Sequence, residues 1–214
     1  MIDSTIFSPV MMPGKHNGIP MFLQRLAALI ALLLLSPVLL ILMFFLRLES
    51  RGSCFFSQDR IGKYGRHFEL YKFRSMYLTT DRRYAEPDPS SSDRDGICKK
   101  YRNDPRISII GAFIRKFSID ELPQLINIIK GDMALIGPRP ALAIEVNAYP
   151  TSALCRLNGM PGLSGLWQVS GRADTDFDTQ VELDNYYLQK QSIGYDVRIL
   201  LATLPCVIGA RGAY

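Results

Sequence analysis

From Leu26 to Leu46 no charged residue occurs, and Leu, Ile and Ala make up most of the run. About twenty apolar residues suffice to cross a bilayer as a straight helix, so this segment constrains the chain more than any other. No small-residue cleavage site follows it, which argues against a removable signal peptide. Two features complicate a simple span. Ser36-Pro37 falls in the middle of the run, and an internal proline removes a backbone hydrogen bond and kinks a helix. Positive charge flanks both ends, Lys15 and Arg25 before it and Arg47 and Arg51 after it. Basic flanks mark the cytoplasmic side, so the charges favour both ends on one side. A kinked transmembrane helix and a broken helix that enters and leaves one leaflet both satisfy these residues. Because proline is common in membrane helices, the residues alone slightly favour the kinked span.

The 214 residues hold one domain with a core, plus this appendage. Lys+Arg 25 against Asp+Glu 20 gives a formal charge of +5, a balance suited to anionic partners such as phosphorylated metabolites or acidic phospholipid surfaces. No basic block, zinc spacing or nucleic-acid motif is present, and nucleic acid is not expected as a partner. Cys54, Cys98, Cys155 and Cys206 are scattered without a C-x-x-C pair and read as reduced cytosolic thiols. His16 and His67 are the only histidines. Histidine-built metal sites and Ser-His-Asp triads are therefore not expected, and carboxylates must do any acid-base or nucleophilic work.

The carboxylates that stand out are Asp120 and Glu121, within Arg115-Lys116-Phe117-Ser118-Ile119-Asp120-Glu121-Leu122-Pro123. Leu122, Leu125, Ile126, Ile128 and Ile129 follow at helical spacing and Gly131 closes the run, which places both acids at a helix start. Ser118 and Glu121 fit a capping box, in which Glu121 only satisfies a backbone amide. That leaves Asp120 unexplained, because a second adjacent acid adds repulsion unless a cation or a chemical task absorbs it. Arg115 and Lys116 supply part of that compensation and Mg2+ is a candidate for the rest. An ionised aspartate beside phosphate-binding arginines suits attack on phosphorus.

Residues 1–20 are a polar tail rich in Pro and Gly. Residues 54–61 and 67–74, separated by Gly62-Lys63-Tyr64-Gly65, read as a β-hairpin that puts Lys72 and Arg74 on one strand face. Residues 78–106 carry no period and read as a mobile surface loop. Ile110, Phe113, Ile114 and Phe117 have the spacing of an amphipathic helix, for core or bilayer surface. Gly137-Pro138-Arg139-Pro140 holds one guanidinium rigidly between prolines. Pro161 to Arg172 combines turn residues with the only tryptophan, and its backbone amides with Arg172 suit a phosphate or nucleotide. Residues 180–191 look helical and carry Asp184, a weaker site candidate. Val197 to Ile208 is apolar but too short to span, and reads as an amphipathic or core helix packed at the membrane boundary.

Ser36-Pro37, Gln58-Asp59-Arg60-Ile61-Gly62, Tyr71-Lys72-Phe73-Arg74-Ser75-Met76, Asn103-Asp104-Pro105-Arg106, Ser118 to Leu125, Gly131-Asp132-Met133, Gly137 to Pro140 and Pro161 to Arg172 run in one order along the chain. Together they resemble the small monotopic phosphoglycosyl transferases of the bacterial sugar transferase family. One departure is Gln24-Arg25-Leu26-Ala27-Ala28, which lacks the Lys-Arg pair and acidic residue expected at the start of the membrane segment. The resemblance implies an α+β, mainly helical fold. It has a tail over 1–20, a re-entrant membrane helix over 21–48 broken at Ser36-Pro37, and a cytoplasmic catalytic domain over 49–214. A β-hairpin and interfacial amphipathic helices surround the site, on the cytoplasmic face of a bacterial inner membrane. The implied reaction moves phospho-sugar from a nucleotide diphosphate-sugar, with uridine expected, to polyprenyl (undecaprenyl) phosphate. Asp120 matches the family's nucleophile and Glu121 its Mg2+ ligand. Lys72, Arg74, Arg115, Arg139 and Arg172 are the candidates for donor and acceptor phosphates. Two rivals are a sugar-only transferase and a membrane-anchored scaffold; a homodimer is left open.

Overall fold

The computed structural model describes residues 16–88, 90, 101, 103–171 and 176–209. Its elements confirm the expected α+β, mainly helical class. The first helix, α1, runs from Met21 to Glu49 with Pro37 inside it. Pro37 has no N–H to donate to the carbonyl of Leu33, four residues back. The Ser36 hydroxyl donates to that carbonyl instead, at 2.7 Å. The local hydrogen-bond deficit is thereby filled, and the helix continues through the Ser36-Pro37 pair where a break was expected.

One stripe of α1 joins the core and the rest does not. Ala28 packs with Leu70, Leu125, Ile128 and Met133. Further along the same helix, Leu39 and Leu46 pack with Phe73 and Ile114. The outward faces, including Phe22, Leu26, Leu33, Leu34, Leu40, Phe44 and Leu48, are exposed. Soluble surfaces rarely carry so large a continuous apolar area. α1 is thus the described helix long and apolar enough to cross a membrane, while both of its halves lie against the same body.

Both ends of α1 are tied down by polar groups. At the start, the Gln24 side chain accepts from Leu135 N at 2.6 Å and donates to Ile19 O at 2.6 Å. Gln24 is 1% exposed, so this departure from the expected basic entry serves as a buried staple. At the far end, Arg74 donates to the carbonyls of Leu46, Ser50 and Arg51 at 3.2, 2.7 and 2.9 Å. A guanidinium at a helix C-terminus answers the unpaired carbonyls and the negative end of the helix dipole.

Strands β1 (Phe55–Ile61) and β2 (His67–Phe73) form the expected antiparallel hairpin, with Phe56 opposite Lys72 and Phe55 opposite Phe73. Helix α2 (Ile109–Lys116) is capped by the Ser108 hydroxyl, which accepts from Gly111 N at 2.9 Å. Its expected stripe divides. Ile114 is buried, whereas Phe113 is exposed and pairs edge-on with Phe117. Helix α3 (Gln124–Lys130) ends at Gly131, whose φ of 91° is the left-handed stop that glycine permits.

A second sheet was not expected from the sequence. Strands β3 (Ala134–Ile136) and β4 (Gly162–Ser164) pair in parallel. A Cβ on Gly137 would lie 2.1 Å from Met160 O, so only glycine allows this approach. Between the two strands lie the short helices α4 (Ala143–Asn147) and α5 (Thr151–Leu154). Helix α6 (Leu166–Val169) then leads to α7 (Phe177–Lys190) and α8 (Ile193–Ile208), so both expected C-terminal helices are present. Tyr187 of α7 and Ile199 of α8 bury against Ile136.

The described ends of the 78–106 segment hydrogen-bond to their surroundings. Tyr77 N donates to Arg106 O at 2.8 Å, and Ser50 Oγ donates to Asp81 at 2.7 Å. Residues 91–100 of that segment lie outside the described residues.

Candidate active site

Asp120 and Glu121 sit in a 3₁₀ turn, Ile119–Glu121, between α2 and α3. Ser118 enters it in the left-handed region, φ 54°, and its side chain makes no capping hydrogen bond. The capping box is therefore not formed. Glu121 Oε1 instead accepts from Lys72 Nζ at 2.8 Å.

Asn127, fully buried on α3, brings Lys72 there. It accepts from Tyr71 N at 3.1 Å and donates to Glu69 O at 2.7 Å. Its amide completes the edge of β2 as a neighbouring strand would, and fixes the residue next to Lys72 against the helix that follows the acids. The sequence reading assigned Asn127 nothing. The available signal was a lone amide at a buried phase of an apolar helix.

The turn opens on a cleft of 980 Å³. Lys72, Arg74, Arg106, Arg115, Asp120, Glu121 and Arg139 contribute to its polar wall, and Leu35, Leu122, Leu135, Leu163, Leu200 and Val207 to its apolar wall. Apolar residues of α1 and α8 thus share a cavity with the acids. Asp120 is 9% exposed. Burial pushes its carboxyl up to about 6, against the pull of Lys72 and Arg115 and with the push of Glu121. A carboxylate that is costly to ionise yet surrounded by cations gains from an incoming cationic or phosphorus centre.

The candidates divide. Lys72, Arg115 and Arg139 line the cleft with both acids. Arg139 is held by its turn: Gly162 N donates to Pro138 O at 2.8 Å and Arg60 donates to Pro140 O at 3.1 Å. Its guanidinium lies 6.0 Å from the centre of the Trp167 ring. Arg74 borders the cleft, but its donors engage the end of α1 as described above, so its observed contacts are with the anchor. Asp184 was placed with the substrate groups, and the structure puts it elsewhere. It is 1% exposed, in an ion pair with Arg156 at 2.5 Å, and does not line the cleft. Burial pushes it up to about 6 as well, against Arg156, while the backbone amide of Arg139 favours its charged form. Asp184 thus backs the turn that carries Arg139. Arg172 lies outside the described residues. Arg106 was unassigned; Asp104, two residues before it, accepts from its guanidinium at 2.9 and 2.6 Å and aims it at the cleft wall.

Among the described residues no three His, Cys, Asp or Glu side chains converge as a ready metal cage. Two adjacent carboxylates nevertheless fit Mg2+, which commonly takes one or two carboxylates and completes its shell with water and substrate phosphate.

Comparison with known proteins places this arrangement. The family model described as bacterial sugar transferase matches residues 16–210. The exopolysaccharide production protein ExoY of Rhizobium meliloti is 41% identical over 192 residues, covering 88% of this chain and 85% of that protein. The undecaprenyl-phosphate galactose phosphotransferase of Salmonella typhimurium is 39% identical over 199 residues, 90% of this chain and 42% of that protein. The UDP-N-acetylgalactosamine-undecaprenyl-phosphate N-acetylgalactosaminephosphotransferase of Aeromonas hydrophila is 38% identical over 195 residues, 88% of this chain and 43% of that protein. The chain thus spans most of ExoY and less than half of the two phosphotransferases. With the acids, the cations and the apolar wall in one cleft and the match running almost end to end, this chain belongs to the bacterial sugar transferase family.

Proposed function

We propose that the protein is a monotopic phosphoglycosyl transferase that moves phospho-sugar from a uridine diphosphate-sugar to undecaprenyl phosphate. The observation that carries this is Asp120, within electrostatic reach of Lys72 and Arg115 in a cleft whose other wall is apolar and includes residues of α1 and α8. A soluble phosphorylated donor needs the cations, and a lipid acceptor needs the apolar wall.

In the proposed reaction an Asp120 carboxylate oxygen attacks the phosphorus that bears the sugar. The bond from that phosphorus to the bridging oxygen breaks, and uridine monophosphate leaves. An oxygen of the acceptor phosphate then attacks the same phosphorus, breaking the bond to Asp120 and giving undecaprenyl-diphosphate-sugar. Two steps through a covalent intermediate spare two bulky anions a direct encounter. Lys72, Arg106, Arg115 and Arg139 hold phosphate oxygens, and Arg139 does so from a rigid turn. Glu121, with Asp120 beside it, would hold Mg2+, which when bound supplies charge neutralisation at the diphosphate.

The reading includes a re-entrant placement of α1 in the inner membrane, with the cleft on the cytoplasmic side. Both halves of α1 lie against one body, which is difficult to reconcile with a span perpendicular to the bilayer. The Ser36 hydroxyl accommodates Pro37 inside this placement.

The test is nucleotide release from a panel of uridine diphosphate-sugars by the purified full chain, with Mg2+ and undecaprenyl phosphate. Uridine monophosphate from one sugar, lost in Asp120→Asn, is expected. Uridine diphosphate instead would assign transfer of the sugar alone. Turnover undiminished in Asp120→Asn would remove Asp120 as nucleophile.

A further inference from the structure

Lys72 and Glu121 form a close pair, 2.8 Å from Nζ to Oε1, with side chains 25% and 30% exposed. Lys72 is also the cation with the strongest pull on Asp120, ahead of Arg115. Lys72, Arg74, Arg106, Arg115 and Arg139 line the same cleft as the two acids, so the cleft already carries more cationic than acidic side chains.

A divalent cation arriving alone meets two obstacles in such a site. One of the oxygens it needs already accepts from an ammonium group, and its charge would leave the cleft strongly positive. No third acidic or histidine ligand converges among the described residues to offset that cost. A diphosphate changes the balance, because it brings two or more negative charges together with hard oxygen ligands. It also offers the ammonium a new partner. The backbone of β2 is held by Asn127, but Nζ rides on a four-carbon stem at the cleft wall. It can exchange partners without moving the strand.

We propose that Lys72 is the resident counter-cation of the Asp120–Glu121 pair, occupying the metal's place at Glu121 until a diphosphate arrives with the metal and draws the ammonium onto its own oxygens. This rests on the phosphoglycosyl transferase reading above and deepens it by assigning an order, in which metal and donor bind together. An ion pair with a purely structural role would leave metal affinity unchanged when the ammonium is removed.

The experiment measures protein-bound Mn2+ by water proton relaxation, on the full chain in detergent, first with Mn2+ alone and then with inorganic pyrophosphate as the diphosphate probe. Lys72→Met removes the charge and keeps most of the stem; Lys72→Arg keeps the charge; Lys72→Gln is a second neutral variant. The neutral variants are expected to bind Mn2+ alone roughly tenfold or more tightly than wild type, because the competitor is gone. Lys72→Arg should stay near wild type. Pyrophosphate should strengthen Mn2+ binding more in wild type than in Lys72→Met. Neutral variants that bind Mn2+ no better than wild type would overturn the proposal. Glu121→Gln in the Lys72→Met background separates the two failures. If it leaves Mn2+ binding unchanged, the metal is not at these acids and the metal assignment falls with the proposal. The nucleotide-release assay tests the transferase reading independently.

Discussion

Asp120 and Asp184 are both carboxylates that burial pushes up to about 6, yet they sit in opposite kinds of surroundings. Asp184 is answered by Arg156, itself 4% exposed by its side chain, and the pair is sealed behind the turn that carries Arg139. Asp120 is answered by Lys72 and Arg115, both on the wall of an open cleft. One charge is satisfied by a fixed partner in the core, and the other by groups that a ligand can displace. The same acidity therefore accompanies a sealed ion pair in one place and an open cleft in the other. A perturbed carboxyl becomes a site candidate only when its counter-charges are accessible.

The largest expected effect lies on the cleft side. Asp120→Asn should lower phospho-sugar transfer by roughly a thousandfold or more, as loss of a nucleophile does, measured as uridine monophosphate release. Retained activity would erase the distinction drawn here. On the core side, Asp184→Ala should destabilise the fold by about 3–5 kcal/mol, because the buried Arg156 would keep only the neutral Tyr149 hydroxyl and lose its counter-charge. Thermal unfolding checks this. The double variant Asp184→Leu/Arg156→Met should recover much of the loss, since an apolar pair avoids the uncompensated charge.

The third contrast concerns pH. A carboxyl raised in the folded state is protonated there while its unfolded counterpart, ionising near 3.8, has already released its proton. Asp120 thus stabilises the fold in acid, and that contribution is lost as pH rises from about 4 through about 6. Above this window the cost is on the order of 2–3 kcal/mol. In Mg2+-free buffer Asp120→Asn should therefore be the more stable protein at pH 7 and should converge with wild type near pH 4, read by denaturant midpoints. A mutant that is inactive but stabilised would mark Asp120 as a group retained for function. The smallest effect is expected in α1. Ser36→Ala should cost about 1 kcal/mol by leaving Leu33 O without its donor. In a Pro37→Ala background, where a backbone N–H returns, the same change should cost less.

The hairpin was legible because strand alternation and a glycine-bearing loop are local signals, and α3 because its apolar period and Gly131 are local too. The parallel pair β3–β4 was not, since three-residue strands separated by α4 and α5 carry no readable period. Arg74 and Asp184 show the same limit among the site candidates. Residue type marks them as charged, but whether a charge meets a helix end, a buried guanidinium or an open cleft depends on segments far away in the chain.

By itself the sequence determined the apolar segment, the adjacent acids, the rigid arginine turn and the family to which their order points. These follow from composition and short spacing, which the chain carries wherever it folds. Only the tertiary structure decided that Glu121 meets Lys72 rather than capping a helix, that Arg74 holds α1 by its end, and that Asp184 belongs to the core. The physical reason is that a charge acts over a few ångströms through whatever surrounds it, and the groups around each of these were brought there by packing.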